Sequence, residues 1–263
     1  MNTILVAAAV LGALSALFGT VLVIASRVFH VEVDPKEAEI RACLAGANCG
    51  GCGYPGCDGY AAAVAKGEAP CNCCVAGGAE TAEKLAQIMG VSNSAAEKKY
   101  AHIMCSGSHG CVHKSFNYNG PKDCRAAMLF GNRGDKACSF ACVGLGNCVN
   151  ACKFNAMKIS DGIAKVDRSK CVGCGACVDA CPKKIVKLLP DRQRYVPACS
   201  SQDKGQQVMK RCYVGCIGCM RCQKECPVQA ISVENNLASI DPTKCINCGH
   251  CAEVCPRGII KHV

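Results

Sequence analysis

The cysteines constrain this chain more than any other feature. Twenty-eight of its 263 residues are Cys, and most stand in short runs. Cys171, Cys174, Cys177 and Cys181, followed by Pro182, are spaced C-x2-C-x2-C-x3-C-P. The same spacing recurs in Cys216, Cys219, Cys222 and Cys226 before Pro227, and in Cys245, Cys248, Cys251 and Cys255 before Pro256. Thiolate is a soft ligand suited to iron–sulfur clusters, and this run is the one that wraps [4Fe–4S] clusters in bacterial ferredoxins. Disulfide frameworks belong to short secreted chains, and cysteines this close within a run do not pair with one another. Structural zinc brings two C-x2-C knuckles to each ion, not four cysteines in one run. The runs therefore point to one-electron transfer, with assembly in a reducing compartment.

The formal charge of +10 looks at first like a nucleic-acid footprint. A [4Fe–4S] site with its four thiolates carries about −2, so five or six such sites offset the excess Lys and Arg. There is no RNP-type aromatic motif and no Trp, and aromatics make up 5%. Nucleic acid is excluded as a partner.

Ile4 to Ser26 contains no charged side chain. Its 23 residues would extend roughly 34 Å as a helix, enough to span a bilayer's hydrocarbon core. Ala7, Ala8, Ala9, Gly12, Ala13, Ser15, Ala16 and Gly19 would let another helix approach closely. The run is longer than the apolar core of a signal peptide and has no Lys or Arg before it, so a retained anchor is expected over residues 1–30. Arg27, with His30 beyond, then sets the rest of the chain on the cytoplasmic side. Residues 31–36 read as a short connection.

The expected fold class is α+β: the anchor, a four-Cys domain over 31–95, a Cys-containing connection over 96–137, and two tandem ferredoxin-like modules over 138–198 and 199–263. In the first soluble unit Cys49, Cys52, Cys57 and Cys74 have C-x2-C-x4-C-x16-C spacing among turn glycines, and are expected to hold one [4Fe–4S] cluster. Cys71 and Cys73 lie close enough to Cys74 to leave the fourth ligand open. Helices are expected over 60–66 and over 81–89, the second with an apolar stripe of Ala82, Leu85, Ala86 and Met89 and a stop at Gly90. The three histidines of the connection, His102, His109 and His113, read as loop or surface residues.

From Cys138 the chain repeats internally. Cys216, Cys219, Cys222 and Cys226 recur 29 residues later as Cys245, Cys248, Cys251 and Cys255, and Cys142, Cys148 and Cys152 recur as Cys171, Cys177 and Cys181. "AMKISDGIAKVDRSKC" and "AISVENNLASIDPTKC" each read as strand, tight turn, strand. Position 145, where the repeat calls for Cys, is Leu145, and Cys138 is the expected replacement. In two-cluster ferredoxins the fourth Cys of a run ligates the other cluster. The expected sites are thus Cys138, Cys142, Cys148, Cys181; Cys171, Cys174, Cys177, Cys152; Cys216, Cys219, Cys222, Cys255; and Cys245, Cys248, Cys251, Cys226. A sixth site is expected from Cys105, Cys124, Cys199 and Cys212, with Cys111 as substitute, unless these stay as plain buried thiols.

The apolar N-terminal helix, "NCGGCGYPGCDGYAAAVAKGEAPCNCCVAGG" and the "CSFACVGLGNCVNAC" run resemble the B subunit of Rnf-type electron-transport complexes, in the longer form with two ferredoxin modules. The resemblance covers nearly the whole chain; "CVAGG", where a Pro often precedes the glycines, departs from it. It implies a subunit at the inner (cytoplasmic) membrane, with A, C, D, E and G subunits and lipid as neighbours and reduced ferredoxin as donor. The complex would reduce NAD+ and move Na+ or H+. Five clusters, or six, are implied here, with flavin and NAD held by other subunits. Consistent with this, no G-x-G-x-x-G follows a strand. Lys183, Lys184, Lys187, Arg192 and Arg194 form a basic stretch fit to steer an acidic ferredoxin. A membrane-tethered polyferredoxin of another oxidoreductase and an iron–sulfur sensor are the rival readings.

Overall fold

The computed structural model describes residues 2–28, 34–92, 97–130 and 134–263. Helix α1 runs over Asn2–Val28. Within it Ala9–Val28 has a mean hydropathy of 2.2 and no part of that stretch is buried. A helix that is apolar all round and meets no protein face is long and apolar enough to cross a membrane. His30 and the start of the expected 31–36 connection lie outside the described residues. The end of that connection is already helix. In α2 (Pro35–Cys43), Asp34 accepts the Lys36 N–H at 2.9 Å and Pro35 opens the first turn.

Helices α3 (Cys57–Ala65) and α4 (Gly78–Met89) pack with α2 around Ile40, Tyr60, Val64 and Leu85, all fully buried. Each such side chain contributes about 1.5–3 kcal/mol. Both helices begin three residues before their expected starts, and α4 ends where expected, at left-handed Gly90. Its buried stripe includes Ala82, Leu85 and Ala86, with Thr81 beside them and Met89 only partly covered.

The remainder is one arrangement built twice. The first copy comprises β1 (Lys99–Ile103), α5 (Cys124–Met128), α6 (Asn147–Asn150), β2 (Met157–Ser160), β3 (Ile163–Val166), α7 (Ala176–Ala180) and β4 (Val186–Pro190). The second comprises β5 (Tyr195–Pro197), α8 (Gly205–Arg211), α9 (Arg221–Lys224), β6 (Ile231–Glu234), β7 (Leu237–Ile240), α10 (His250–Glu253) and β8 (Ile260–His262). In each copy the middle strands form a hairpin, β2 with β3 and β6 with β7. The last strand returns antiparallel to the first, β4 to β1 and β8 to β5. Both hairpins close on two residues of positive φ, Asp161-Gly162 and Asn235-Asn236, the turn whose twist suits paired strands.

Two expected boundaries move. Strand β1 lies in the segment read as a connection, yet it is the first strand of the first copy. Strand β5 lies before residue 199, yet it pairs within the second. The 29-residue repeat carries no trace of a strand whose partner is the far end of its own module. The expected cut at 95/96 lies outside the described residues. His102 also departs from expectation: it sits in β1, and burial, with Arg168 nearby, lowers its pKa to about 4.

Each module thus carries an insert between its first strand and its first cysteine run, residues 104–141 in one and 198–215 in the other. The inserts touch. Tyr213 donates its backbone N–H to Cys111 O at 2.8 Å and His113 to Arg211 O at 3.0 Å.

Candidate cluster-binding centres

The loops between strand and short helix set the cysteines around small chambers. In the first module one chamber is lined by Cys152, Cys171, Cys174 and Cys177. In the second, Cys216, Cys219, Cys222 and Cys255 line another. Cys251 lies within electrostatic reach of Cys245, Cys248 and Cys226. In each of these three groupings the fourth cysteine comes from the other run. Helices α6, α7 and α10 each start after a glycine at positive φ, which lets the loop double back before the third cysteine. Backbone N–H groups point at sulfurs, from Ala156 to Cys152 at 3.4 Å and from Ala230 to Cys226 at 3.3 Å.

The remaining chamber of the first module departs from expectation. Cys142, Cys148 and Cys181 line it with Cys124, not with Cys138. Asp123 caps α5, and the neighbouring Cys124 N–H donates to Asn147 Oδ1 at 2.8 Å. Asn147 Nδ2 in turn donates to Asp123 Oδ2 at 2.8 Å. This clamp brings α5 over the gap left by Leu145. Cys138 instead lines a chamber between the inserts, with Cys105, Cys199 and Cys212. Cys124 and Cys138 have therefore exchanged places relative to the sequence expectation. A signal was present: the two modules are offset by 74 residues, from Cys142 to Cys216 and from Cys171 to Cys245, and that offset makes Cys138 the counterpart of Cys212.

In the N-terminal unit Cys52, Cys57 and Cys74 pack against the α2–α4 core together with Cys43, Cys71 and Cys73. Asn48 Oδ1 accepts the Cys57 N–H at 2.7 Å, which closes the 48–57 loop. Tyr60 Oη donates to Pro70 O at 2.7 Å and accepts the Cys73 N–H at 3.2 Å, pinning the segment that carries Cys74. This loop docks on the first module. A Cβ on Gly51 would lie 2.9 Å from Cys174 Cα, and Lys153 Nζ donates to Asn48 O at 2.7 Å. Lys153, which stands where the regular runs have Pro, is thus a docking residue.

The thiols fit a polycationic core. Burial, then the neighbouring cysteines, pushes Cys148 and Cys177 up to about 12. Cys222 and Cys251 are pushed up to about 11 in the same way. Such groups stay neutral at pH 7 unless a strong cation replaces their protons, which suits the iron of an iron–sulfur core. Among the described residues no three Cys, His, Asp or Glu side chains stand close enough to hold one metal ion. The sulfurs ring spaces and do not converge on points.

Residues 141–185 and 215–259 match the family described as "4Fe-4S dicluster domain", and residues 44–76 match "Putative Fe-S cluster". The chain is 44% identical over 261 residues to the B subunit of the Na(+)-translocating ferredoxin:NAD(+) oxidoreductase complex of Acetobacterium woodii, covering 99% of this chain and 78% of that one. It is 39% identical to the B subunit of the ion-translocating oxidoreductase complex of Methanosarcina acetivorans, covering 99% of both. It is 41% identical to the B subunit of the proton-translocating ferredoxin:NAD(+) oxidoreductase complex of Clostridium ljungdahlii, covering 100% of this chain and 94% of that one. The chain belongs to the family of Rnf B subunits. As a member of that family it is an electron-transfer subunit of an ion-translocating oxidoreductase complex, with [4Fe–4S] domains behind a candidate membrane anchor. Cys105, Cys124, Cys138, Cys199 and Cys212 all lie outside the matched segments.

Proposed function

We propose that the chain takes electrons from reduced ferredoxin at its second module and delivers them, through its N-terminal unit, to redox subunits in the membrane. A [4Fe–4S] cluster takes up and releases one electron at a potential set by charge, hydrogen bonds to sulfur and exposure. The ligand sets are Cys49, Cys52, Cys57, Cys74; Cys152, Cys171, Cys174, Cys177; Cys124, Cys142, Cys148, Cys181; Cys216, Cys219, Cys222, Cys255; and Cys226, Cys245, Cys248, Cys251.

The observation that carries the direction is where cysteines reach the surface. Among the described residues only Cys219 and Cys248 are exposed, both in the second module. Ile246 and Met220 stand exposed beside them. Asn247 holds the basic stretch against this end: its Oδ1 accepts the Arg194 N–H at 2.9 Å and its Nδ2 donates to Arg192 O at 2.7 Å. Exposed apolar groups with the Arg192 and Arg194 backbone close by suit a transient acidic partner, although the Arg192 guanidinium also pairs with Glu97 at 3.0 Å. Lys183 is less central to that surface, since its ammonium turns to Ser139 O in the first module. At the other end the docked N-terminal unit follows α1, so it lies beside the bilayer when α1 spans it.

The redox partners would be the other subunits of an Rnf-type complex, ending at NAD+, with the soluble domains in the cytoplasm. The relatives bear names that specify Na+ in one case and protons in another. Replacing Cys52 by Ala tests the exit. Ferredoxin should still reduce the modules, while transfer to the membrane subunits falls at least tenfold. Undiminished transfer would place the exit elsewhere.

A further inference from the structure

We infer that Lys136 is a positioning residue for electron transfer: its buried ammonium raises the potential of the cluster site that Cys142 lines, so that electrons pass downhill from the second module to the first. The inference rests on the cluster reading above and adds to it a residue outside both matched segments.

Lys136 is 3% exposed, which is rare for a lysine. Its Nζ donates to Gly107 O at 2.9 Å and to Gly162 O at 2.7 Å. Among the described residues it forms no ion pair with a carboxylate. Two carbonyls satisfy two of the three protons but do not cancel the charge, and a buried charge is costly unless an opposite one faces it. The adjoining chamber supplies that charge, because a [4Fe–4S] site with its four thiolates carries about −2. Gly162 is the connection. A Cβ on Gly144 would lie 2.3 Å from Gly162 O, and Gly144 stands two residues after Cys142 in the loop around the chamber. The ammonium reaches Cys142 electrostatically: burial raises the pKa of that thiol, and the Lys136 charge draws it back down.

The second module repeats the tie without the charge. The 74-residue offset carries Gly144 to Gly218, Gly162 to Asn236 and Lys136 to Lys210. Gly218 packs on Asn236 as Gly144 packs on Gly162, an added Cβ lying 3.0 Å from Asn236 Cα. From this turn the link to the insert is a neutral amide: Asn236 Nδ2 donates to Gln202 O at 3.1 Å. Lys210 is exposed, in the last turn of α8. Either link joins hairpin turn to insert, so the two modules differ here in charge and not in architecture. A cation in a site poor in water favours the reduced, more negative cluster, whereas the same charge at the surface is screened. The step balances as one electron leaving a reduced cluster of the second module, which is oxidised, and reducing the cluster beside Lys136.

The test is an EPR-monitored redox titration of the full chain, purified and reconstituted anaerobically. Lys136→Gln keeps a donor and removes the charge; Lys136→Arg keeps the charge. With iron and sulfide at the wild-type value, Lys136→Gln should shift one reduced-cluster component to lower potential. The ratio in which an electron is shared between the modules should change at least tenfold, which is about 59 mV for one electron. Lys136→Arg and Lys210→Gln should leave every component where the wild-type chain has it. A Lys136→Gln variant with all its components at wild-type potentials would overturn the inference and leave the cluster reading standing. So would equal shifts in the Gln and Arg variants, or loss of iron from the Gln variant, since Lys136 would then be a structural tie. A wild-type chain that takes up no iron would bring down the cluster reading itself.

Discussion

The contact between the N-terminal unit and the first module rests on a missing Cβ. Gly51 faces Cys174 so closely that an added methyl would sit 2.9 Å from Cys174 Cα and 3.0 Å from its Cβ, with Val75 Cγ2 at 2.6 Å. Val75 can rotate away; the Cys174 backbone, held in a ligand loop, cannot. Carbon atoms rest at roughly 3.5–4.0 Å, so Gly51→Ala must part the two units by roughly 0.6–1 Å. Overpacking of this kind costs about 1–3 kcal/mol, a loss of roughly 5- to 150-fold in the docked population. No ligand is removed, so iron content should stay at the wild-type value. Amide exchange in the 48–57 loop should rise, and freeze-quenched EPR should show slower transfer between the first module and the N-terminal unit. Unchanged exchange together with unchanged transfer would refute the docking geometry.

Lys153→Met should loosen the same contact more mildly, read as faster exchange at 47–49 with full iron retained, because it removes the ammonium that Asn48 O accepts. Asn147→Ala removes the clamp on Cys124 and should cost about 1–2 kcal/mol in thermal unfolding. It should also speed loss of iron to a chelator. Reversing Arg192 and Arg194 to Glu should slow reduction by ferredoxin steeply at low salt and little at high salt, measured by stopped flow.

Much of this was legible in the sequence because ferredoxin runs carry their geometry locally. Spacing within Cys171–Cys181 or Cys245–Cys255 sets three cysteines around one loop, and the crossed fourth follows from the repeat. The Asp161-Gly162 and Asn235-Asn236 turns marked both hairpins for the same local reason. What failed to show depended on distance along the chain. Strand β1 pairs with a partner some ninety residues away. Cys124 reaches the gap at Leu145 because Asp123 and Asn147 bind across 24 residues. Proximity in sequence favoured Cys138 for that gap, and only the 74-residue offset sets it beside Cys212. Lys153 binds the 47–48 backbone more than a hundred residues away, a contact that its place in the run does not announce.

The central claim is an ordered path that begins at the exposed end of the second module. Cys248→Ala tests it most directly, in the full chain mixed rapidly with reduced ferredoxin and, separately, with dithionite. Cys248 is exposed and sits in the loop that Asn247 ties to Arg192 and Arg194. The account predicts that ferredoxin-driven reduction of the inner and N-terminal clusters falls at least tenfold while dithionite reduces them as before. Reduction by ferredoxin at the wild-type rate would contradict it, because electrons would then be entering elsewhere.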